Sequence, residues 1–271
     1  MAEDGAALRL RLLSAVALAP IALGLVIVGG WIFALFVGTM TVLMALEWTR
    51  LSEARFGRDH ARLVGALVLG IGLAATLLAA FDRPRAAVGC VAIGALVTSL
   101  VALTRGMAPG WAAIGAALIG LPAVALVWLR SLPDVGLSAL LWLLIVVWTT
   151  DAVAYLVGRQ VGGPRLAPSI SPGKTWSGLG GGMVGAGLAS LMVASILGSE
   201  RLLHYAGLGA AFAVVAQLGD LAESMLKRRA GVKDSGSLIP GHGGVLDRVD
   251  GLLLTAPLLS LLLGWQAWQW P

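Results

Sequence analysis

Charge and glycine are concentrated in residues 224–250, SMLKRRAGVKDSGSLIPGHGGVLDRVD, between two apolar runs. The stretch holds five basic side chains, one histidine and three aspartates, which are Lys227, Arg228, Arg229, Lys233, Arg248, His242, Asp234, Asp247 and Asp250. Its PGHGG segment, residues 240–244, stops a helix and lets a ligand approach the backbone closely. Cations in a loop of this kind predict phosphate binding.

A helix is expected to begin near Val245, and it would place Asp247 and Asp250 on one face of its first turn. Two carboxylates there form half of a site for a hard metal ion. Basic residues at a membrane surface can be present for topology alone. Topology does not explain the interleaved aspartates or the PGHGG segment, so a chemical role is favoured.

The stretch resembles the signature of the phosphatidate cytidylyltransferases, also called CDP-diacylglycerol synthases, at every fixed position and spacing. The matching residues are Ser224, Lys227, Arg228, Lys233, Asp234, Gly236, Ile239, Pro240, His242, Gly243, Gly244, Asp247, Arg248 and Asp250. That family makes CDP-diacylglycerol and pyrophosphate from CTP and phosphatidate inside a membrane, with a divalent metal. The resemblance implies the same chemistry here.

A second polar region begins at Thr149, Thr150 and Asp151, inside an otherwise apolar segment. An ionisable group in a membrane span is a functional hypothesis by default, with a structural hydrogen bond between helices as the alternative. The loop VGGPRLAPSISPGKTWSG, residues 161–178, follows. Its hydroxyls and its lysine, among prolines and glycines, are suited to binding phosphate oxygens.

This region resembles the family's second conserved segment, Asp-x-x-Ala-Tyr-x-x-Gly-Arg followed by Ser-Pro-x-Lys-Thr-Trp-x-Gly. Ser177 stands where the family usually has glutamate, so the role of that glutamate is absent here or met elsewhere. Asp220 resembles the aspartate of a Gly-Asp-x-x-Glu-Ser segment just before the signature. Asp220 and Ser224 should share one helical face.

The composition predicts an all-α integral membrane protein. Of 271 residues, 58% are hydrophobic and 12% charged, and the mean hydropathy is +0.91, whereas soluble proteins are about a quarter charged. About nine segments are long enough to span a bilayer. They are residues 12–30, 31–47, 62–80, 86–104, 110–130, 135–157, 178–198, 203–222 and 249–268.

The distribution of Lys and Arg predicts the orientation. With nine spans, 15 of the 19 basic residues fall on one side and 4 on the other, and the richer side is cytoplasmic by the positive-inside rule. The N-terminus and both polar loops would then be cytoplasmic, with the C-terminus on the opposite side. The pI near 10.1 favours anionic lipid headgroups as partners, with no nucleic-acid module in the sequence.

We expect residues 1–146 to form N-terminal scaffold helices and residues 147–271 to form the catalytic half. The sequence leaves open whether the apolar helices of the first part form a scaffold, a homodimer interface or a wall for acyl chains. Residues 47–62 are expected to form an interfacial amphipathic helix. Cys90 is the single cysteine, which excludes a disulfide framework.

The reaction that the resemblance implies is transfer of a nucleotidyl group from CTP to phosphatidate. The expected catalytic residues are Asp220, Asp247, Asp250, Lys227 and His242, with His242 fixing the loop or donating to a phosphate. Mg²⁺, with room for a second cation, is expected at Asp220, Asp247 and Asp250. The expected substrate-binding residues are Ser171, Lys174, Thr175, Ser224, Arg228, Lys233, Asp234, Gly243, Gly244 and Arg248.

Two other functions remain open on the sequence alone. A transporter of an anionic or phosphorylated solute would also use an intramembrane aspartate and basic vestibules, although the two halves show no matching interrupted spans. A related CTP-dependent enzyme acting on another lipid phosphate is the closer alternative.

Overall fold

The computed structural model describes residues 19–236 and 243–264. Its helices are α1 (Ala19–Val28), α2 (Gly30–Phe56), α3 (Arg58–Ala80), α4 (Pro84–Thr104), α5 (Pro109–Ser131), α6 (Gly136–Val161), α7 (Trp176–Ile196), α8 (Leu202–Arg229), α9 (Leu246–Val249) and α10 (Leu252–Gly264). Strands β1 (Arg165–Ala167) and β2 (Ser171–Thr175) form an antiparallel hairpin between α6 and α7.

The helices confirm an all-α integral membrane protein with a small hairpin added. Within the described ranges, seven helices, α2 to α8, are long and apolar enough to cross a membrane, and α1 and α10 are shorter apolar helices. Each of the nine predicted segments therefore overlaps one apolar helix, although α1 and α10 are shorter than a membrane span. The outermost two, residues 12–30 and 249–268, extend past the described residues.

The chain divides into two compact units. Unit 1 comprises Met1–Leu137 and Lys227–Val249, and unit 2 comprises Ser138–Leu226 and Asp250–Pro271. Most of the charged signature therefore belongs to the same unit as the N-terminal helices. The sequence-based division after residue 146 instead places the whole signature in the C-terminal half.

In unit 1, α2 packs against α3 and α5, and α3 packs against α4. The fully buried Trp48 stacks on Trp111, with ring centroids 4.8 Å apart, and Trp111 Nε1 donates to Ser52 Oγ over 2.8 Å. A Cβ at Gly115 would lie 2.2 Å from Trp48 Nε1, so α5 presents bare backbone to this ring. The C-terminal half of α2, including Glu47, is fixed by this packing.

In unit 2, polar contacts and small residues join the helices. Trp142 Nε1 on α6 donates to Ser190 Oγ on α7 over 2.7 Å, and Ser190 Oγ donates to the carbonyl of Tyr205 on α8 over 2.6 Å. A Cβ at Gly182 would lie 3.2 Å from the Thr150 carbonyl oxygen. A small-residue face on α7 brings α6 close, as the glycine-rich seventh segment predicts.

The interfacial helix expected over residues 47–62 is not formed, and that prediction is wrong. Instead α2 continues from the membrane segment to Phe56, and α3 begins at Arg58. Gly57, with φ of +86°, makes the break between them. Glycine adopts this backbone conformation without the strain that a side chain would cause.

The expectation that Asp247 and Asp250 share one helical face is also wrong. Helix α9 contains only Leu246–Val249, and Asp250 lies in the turn before α10. The Asp250 Oδ1 atom accepts from Gly251 N over 2.7 Å. Aspartate side chains that bind nearby backbone N–H groups compete with the helix, and the following glycine makes it less stable.

Candidate active site

A nearly buried ion pair lies within unit 1. Lys227 Nζ is 2.5 Å from Asp247 Oδ1, and the two side chains are 12% and 7% exposed. Lys227 comes from the last turn of α8, where a cation interacts favourably with the helix dipole, and Asp247 comes from α9. Because little solvent reaches the pair, it is screened much less than a surface ion pair.

The second oxygen of Asp247 joins two arms of the signature loop, residues 230–236 and 243–249. Asp247 Oδ2 accepts from Gly244 N over 2.8 Å, from Ser235 N over 3.1 Å and from Ser235 Oγ over 2.9 Å. Gly243 has φ of +80°, and a Cβ there would lie 2.9 Å from this oxygen. Burial raises the pKa of Asp247, but the Lys227 and Gly244 hydrogen bonds outweigh it and lower the pKa below 3.8. The carboxylate is therefore ionised at neutral pH.

Glu47 is a carboxylate of this region that the sequence reasoning missed. It lies on α2 with no exposed surface. Its Oε1 accepts from Val245 N over 2.7 Å, and its Oε2 accepts from Leu246 N over 2.9 Å and from Ser235 Oγ over 3.1 Å. The sequence could have indicated Glu47, because it is an acidic residue directly after the apolar run 31–46. An ionisable group at the end of a membrane segment needs polar partners.

Unit 2 contains a second lysine–aspartate pair. Lys174 of the hairpin forms an ion pair with Asp220 of α8 and donates to Gln217 Oε1 over 2.7 Å. Ser224 Oγ donates to Asp220 Oδ1 over 3.3 Å, which confirms that these two residues share a helical face. The sequence indicated Lys174 and Asp220 separately, but it did not show that they are partners.

Asp250 lies in the same unit, and other charges act on it. The carboxylates of Asp220 and Asp151 repel the carboxylate of Asp250, and the Lys174 ammonium attracts it. The backbones also approach closely, because a Cβ at Gly219 would lie 2.5 Å from the Asp250 carbonyl oxygen. Two of the three expected metal ligands, Asp220 and Asp250, are thus brought together.

The hairpin that carries the lysine is anchored at the start of α7. Thr175 is buried and caps this helix, accepting from Gly178 N over 3.0 Å. Ser177 Oγ lies 3.0 Å from Thr175 Oγ1 and donates to the carbonyl of Gly162. The serine at the family's glutamate position therefore ties the hairpin to the residues that follow α6. Ser171 is half-buried at the start of β2.

Four more of the expected substrate-binding residues lie at the surface of unit 1. Arg228, Lys233, Asp234 and Arg248 are exposed, and Arg228 NH1 donates to the Val232 carbonyl over 3.2 Å. Exposed cations are accessible to a charged substrate. His242 lies outside the described residues.

The donor chemistry fits magnesium at Asp220 and Asp250. Among residues 19–236 and 243–264, no group of three or more acidic, histidine or cysteine side chains is close enough to hold a metal by itself. Magnesium, however, commonly binds one or two carboxylates and completes its octahedron with water and substrate phosphates.

Comparison with known proteins agrees with the resemblance. The model of the cytidylyltransferase family matches residues 9–265. The chain is 41% identical over 258 residues to a phosphatidate cytidylyltransferase of Brucella abortus biovar 1 (strain 9-941), covering 94% of this chain and 92% of the relative. It is 38% identical over 280 residues to one of Pseudomonas aeruginosa, covering 97% and 100%. It is 33% identical over 264 residues to one of Bacillus subtilis (strain 168), covering 93% and 96%. The chain belongs to the cytidylyltransferase family.

Proposed function

We propose that this protein is a phosphatidate cytidylyltransferase, which makes CDP-diacylglycerol and pyrophosphate from CTP and phosphatidate in phospholipid biosynthesis. The observation that carries this proposal is the match over nearly the whole chain to relatives with that name. The signature supports it locally, because Lys227 and Asp247 are paired and both arms of their loop are hydrogen-bonded.

In the proposed reaction, a phosphatidate oxygen attacks the α-phosphorus of CTP. The new P–O bond forms as the bond to the bridging oxygen of the β-phosphate breaks, and pyrophosphate leaves. A phosphatidate oxyanion is already nucleophilic, so the protein mainly has to position the two anions and neutralise their charge. In this proposal Lys174, Lys227, Arg228, Lys233 and Arg248 bind phosphate oxygens.

Magnesium is proposed at Asp220 and Asp250, the two expected ligands that lie in unit 2. When bound, the ion would offset negative charge on the attacking and leaving oxygens. Lys174 keeps Asp220 oriented, and Gln217 keeps Lys174 oriented. His242 is proposed to fix the loop or to donate to a phosphate.

The proposed location is the cell inner membrane or its equivalent, with the catalytic loops facing the cytoplasm, where CTP is present. The support is the 15 to 4 division of basic residues. Single cysteines at Ser169 and Lys233, in a Cys90→Ala background, should react with an impermeant reagent from the cytoplasmic face only. Labelling of the two positions from opposite faces would contradict this topology.

A homodimer through the N-terminal helices is proposed as the assembly, to be checked by the mass of the detergent-solubilised protein.

The decisive experiment incubates purified protein with CTP, phosphatidate and Mg²⁺, and measures pyrophosphate release and the mass of the lipid product. CDP-diacylglycerol and pyrophosphate in equal amounts are expected, with no turnover in excess chelator. A different cytidylylated or phosphorylated lipid would indicate the related CTP-dependent enzyme. No product, with solute flux in proteoliposomes, would indicate a transporter.

A further inference from the structure

We infer that Glu47 is a positioning residue for the transfer reaction, because its buried carboxylate joins the two arms of the signature loop. The inference rests on the proposed function, and it assigns a role to an N-terminal helix in which the sequence indicates no chemistry. Glu47 would act on the reaction by holding the loop in place, so its effect would be indirect.

The contacts of Glu47 reach both arms of the loop. On one arm, the hydroxyl oxygen of Ser235 lies 3.1 Å from Glu47 Oε2. On the other arm, the backbone N–H groups of Val245 and Leu246 donate to Glu47 over 2.7 and 2.9 Å. One buried side chain on α2 therefore sets the separation of the two arms.

Packing shows how closely the loop is fitted around this carboxylate. A Cβ at Gly236 would lie 3.0 Å from Glu47 Oε1, and a Cβ at Gly244 would lie 2.7 Å from Glu47 Cδ and Oε1. Glycine on both arms leaves room for the carboxylate and little more. Trp48, stacked on Trp111 in the core of the unit, limits movement of α2 at this point.

A hydrogen-bonded chain connects Glu47 to the ion pair. Ser235 Oγ lies 3.1 Å from Glu47 Oε2 and 2.9 Å from Asp247 Oδ2, and its one hydroxyl proton is shared between these two carboxylates. Asp247 in turn binds Lys227. A change at Glu47 would therefore move Asp247 and Lys227, and an error of about 1 Å in such groups can cost about 10²-fold in rate.

The first test is Glu47→Gln, which keeps the shape but turns an amide NH₂ towards a backbone N–H donor. We expect kcat/KM per folded molecule to fall about 10²-fold, with the folded fraction measured by thermal melting in detergent. The matched control is Glu53→Gln on the same helix, where Glu53 is 25% exposed and lies 3.5 Å from Arg62. That control should stay within about twofold of the wild type.

The second test is Ser235→Ala, which removes the shared hydroxyl and leaves both backbone contacts of Glu47. We expect kcat/KM to fall about tenfold, as for one hydrogen bond to a charged group. The kcat/KM of the double variant should fall clearly less than the product of the two single-variant losses. Both substitutions interrupt the same series of hydrogen bonds from Glu47 through Ser235 to Asp247.

Normal kcat/KM in folded Glu47→Gln would overturn the inference, as would fully multiplicative losses in the double variant. If Glu47→Gln does not fold, a normal kcat/KM for Ser235→Ala is sufficient by itself to overturn the inference. If the wild type and Glu53→Gln are also inactive, it is the proposed function that fails.

Discussion

The two lysine–aspartate pairs of this protein differ in what surrounds them. Asp247 is 7% exposed, and Lys227, Ser235 and Gly244 donate to its two oxygens. Asp220 is 24% exposed and lies in a group where carboxylates repel one another. The first pair is nearly saturated with hydrogen-bond donors, whereas the second has negative charge in excess around it.

This difference separates two tasks that a phosphate-binding membrane enzyme must perform. A carboxylate that accepts hydrogen bonds from both arms of a loop holds that loop in one conformation. Its removal leaves buried hydrogen-bond donors unsatisfied. Carboxylates that repel one another, as Asp220 and Asp151 each repel Asp250, lower stability until a cation binds. We therefore expect the pair in unit 1 to matter for both folding and activity, and the group in unit 2 to matter mainly for activity.

The largest effect is expected for Asp247→Asn, which should lower transfer by about 10³-fold. It should also lower the free energy of unfolding by about 3 kcal/mol, because the buried Lys227 ammonium loses its partner. Initial rates and melting in detergent measure the two quantities.

The matched control is Lys227→Met, tested alone and with Asp247→Asn. Adding it to Asp247→Asn should cost little further stability, because the ion pair is already broken. Near-normal turnover in Asp247→Asn would leave Asp220 and Asp250 as the metal ligands to test.

For Asp220→Asn we expect transfer to fall by about 10²-fold to 10³-fold with a higher magnesium requirement. The free energy of unfolding should stay within about 1 kcal/mol of the wild-type value. The lost ion pair with Lys174 is offset by weaker repulsion of Asp250, and Lys174 keeps its hydrogen bond to Gln217. Magnesium titration of the rate and melting without metal are the measurements. A loss of several kcal/mol would show that Asp220, like Asp247, mainly holds structure.

Much of this arrangement could be predicted from the sequence. Apolar runs determine the membrane helices, because each span must satisfy its backbone internally, and the described helices follow those runs. Lys174, Asp220 and Asp247 stand out because charged residues are rare next to such runs.

The pairing of these residues could not be predicted. Several lysines and aspartates have compatible chemistry, and only tertiary packing brings Lys174 to Asp220 and Lys227 to Asp247. Glu47 is 188 residues from Ser235 in the chain, so no local pattern connects them. The end of α9 before Asp250 depends on a competition between side-chain and helical hydrogen bonds, which periodicity does not reveal.

A smaller effect is expected for Lys174→Ala, which should raise the concentration of CTP or phosphatidate needed for half-maximal rate about tenfold. Gln217→Leu should raise it only a few-fold, about as much as the loss of one neutral hydrogen bond, because the lysine keeps its ion pair with Asp220. Initial rates at limiting concentrations of each substrate measure both variants. Unchanged rates for Lys174→Ala would mean that the hairpin only connects helices.

The close approach of Asp250 to α8 gives a test through packing. Gly219→Ala should lower the free energy of unfolding by about 1–3 kcal/mol, because its Cβ would lie 2.5 Å from the Asp250 carbonyl oxygen. Gly180→Ala on α7 is the matched control, with nothing within 4 Å of its Cβ, and it should be neutral or stabilising by up to about 1 kcal/mol. Equal melting temperatures for the two variants would contradict the close approach.

The smallest effect concerns pH and the ion pair of unit 1. The pKa of Asp247 lies below its ordinary 3.8 in the folded protein, so its contribution to stability is present above the unfolded pKa and is lost as pH falls through the folded pKa. Between pH 5 and pH 3 the wild type should therefore lose more unfolding free energy than Asp247→Asn, which has no carboxylate to protonate at this position. Melting curves of both proteins in the same detergent give the difference, and Asp234→Asn, which changes an exposed aspartate of the same loop, should follow the wild type. Parallel pH dependence of the wild type and Asp247→Asn would show that Asp247 does not hold the loop through its charge.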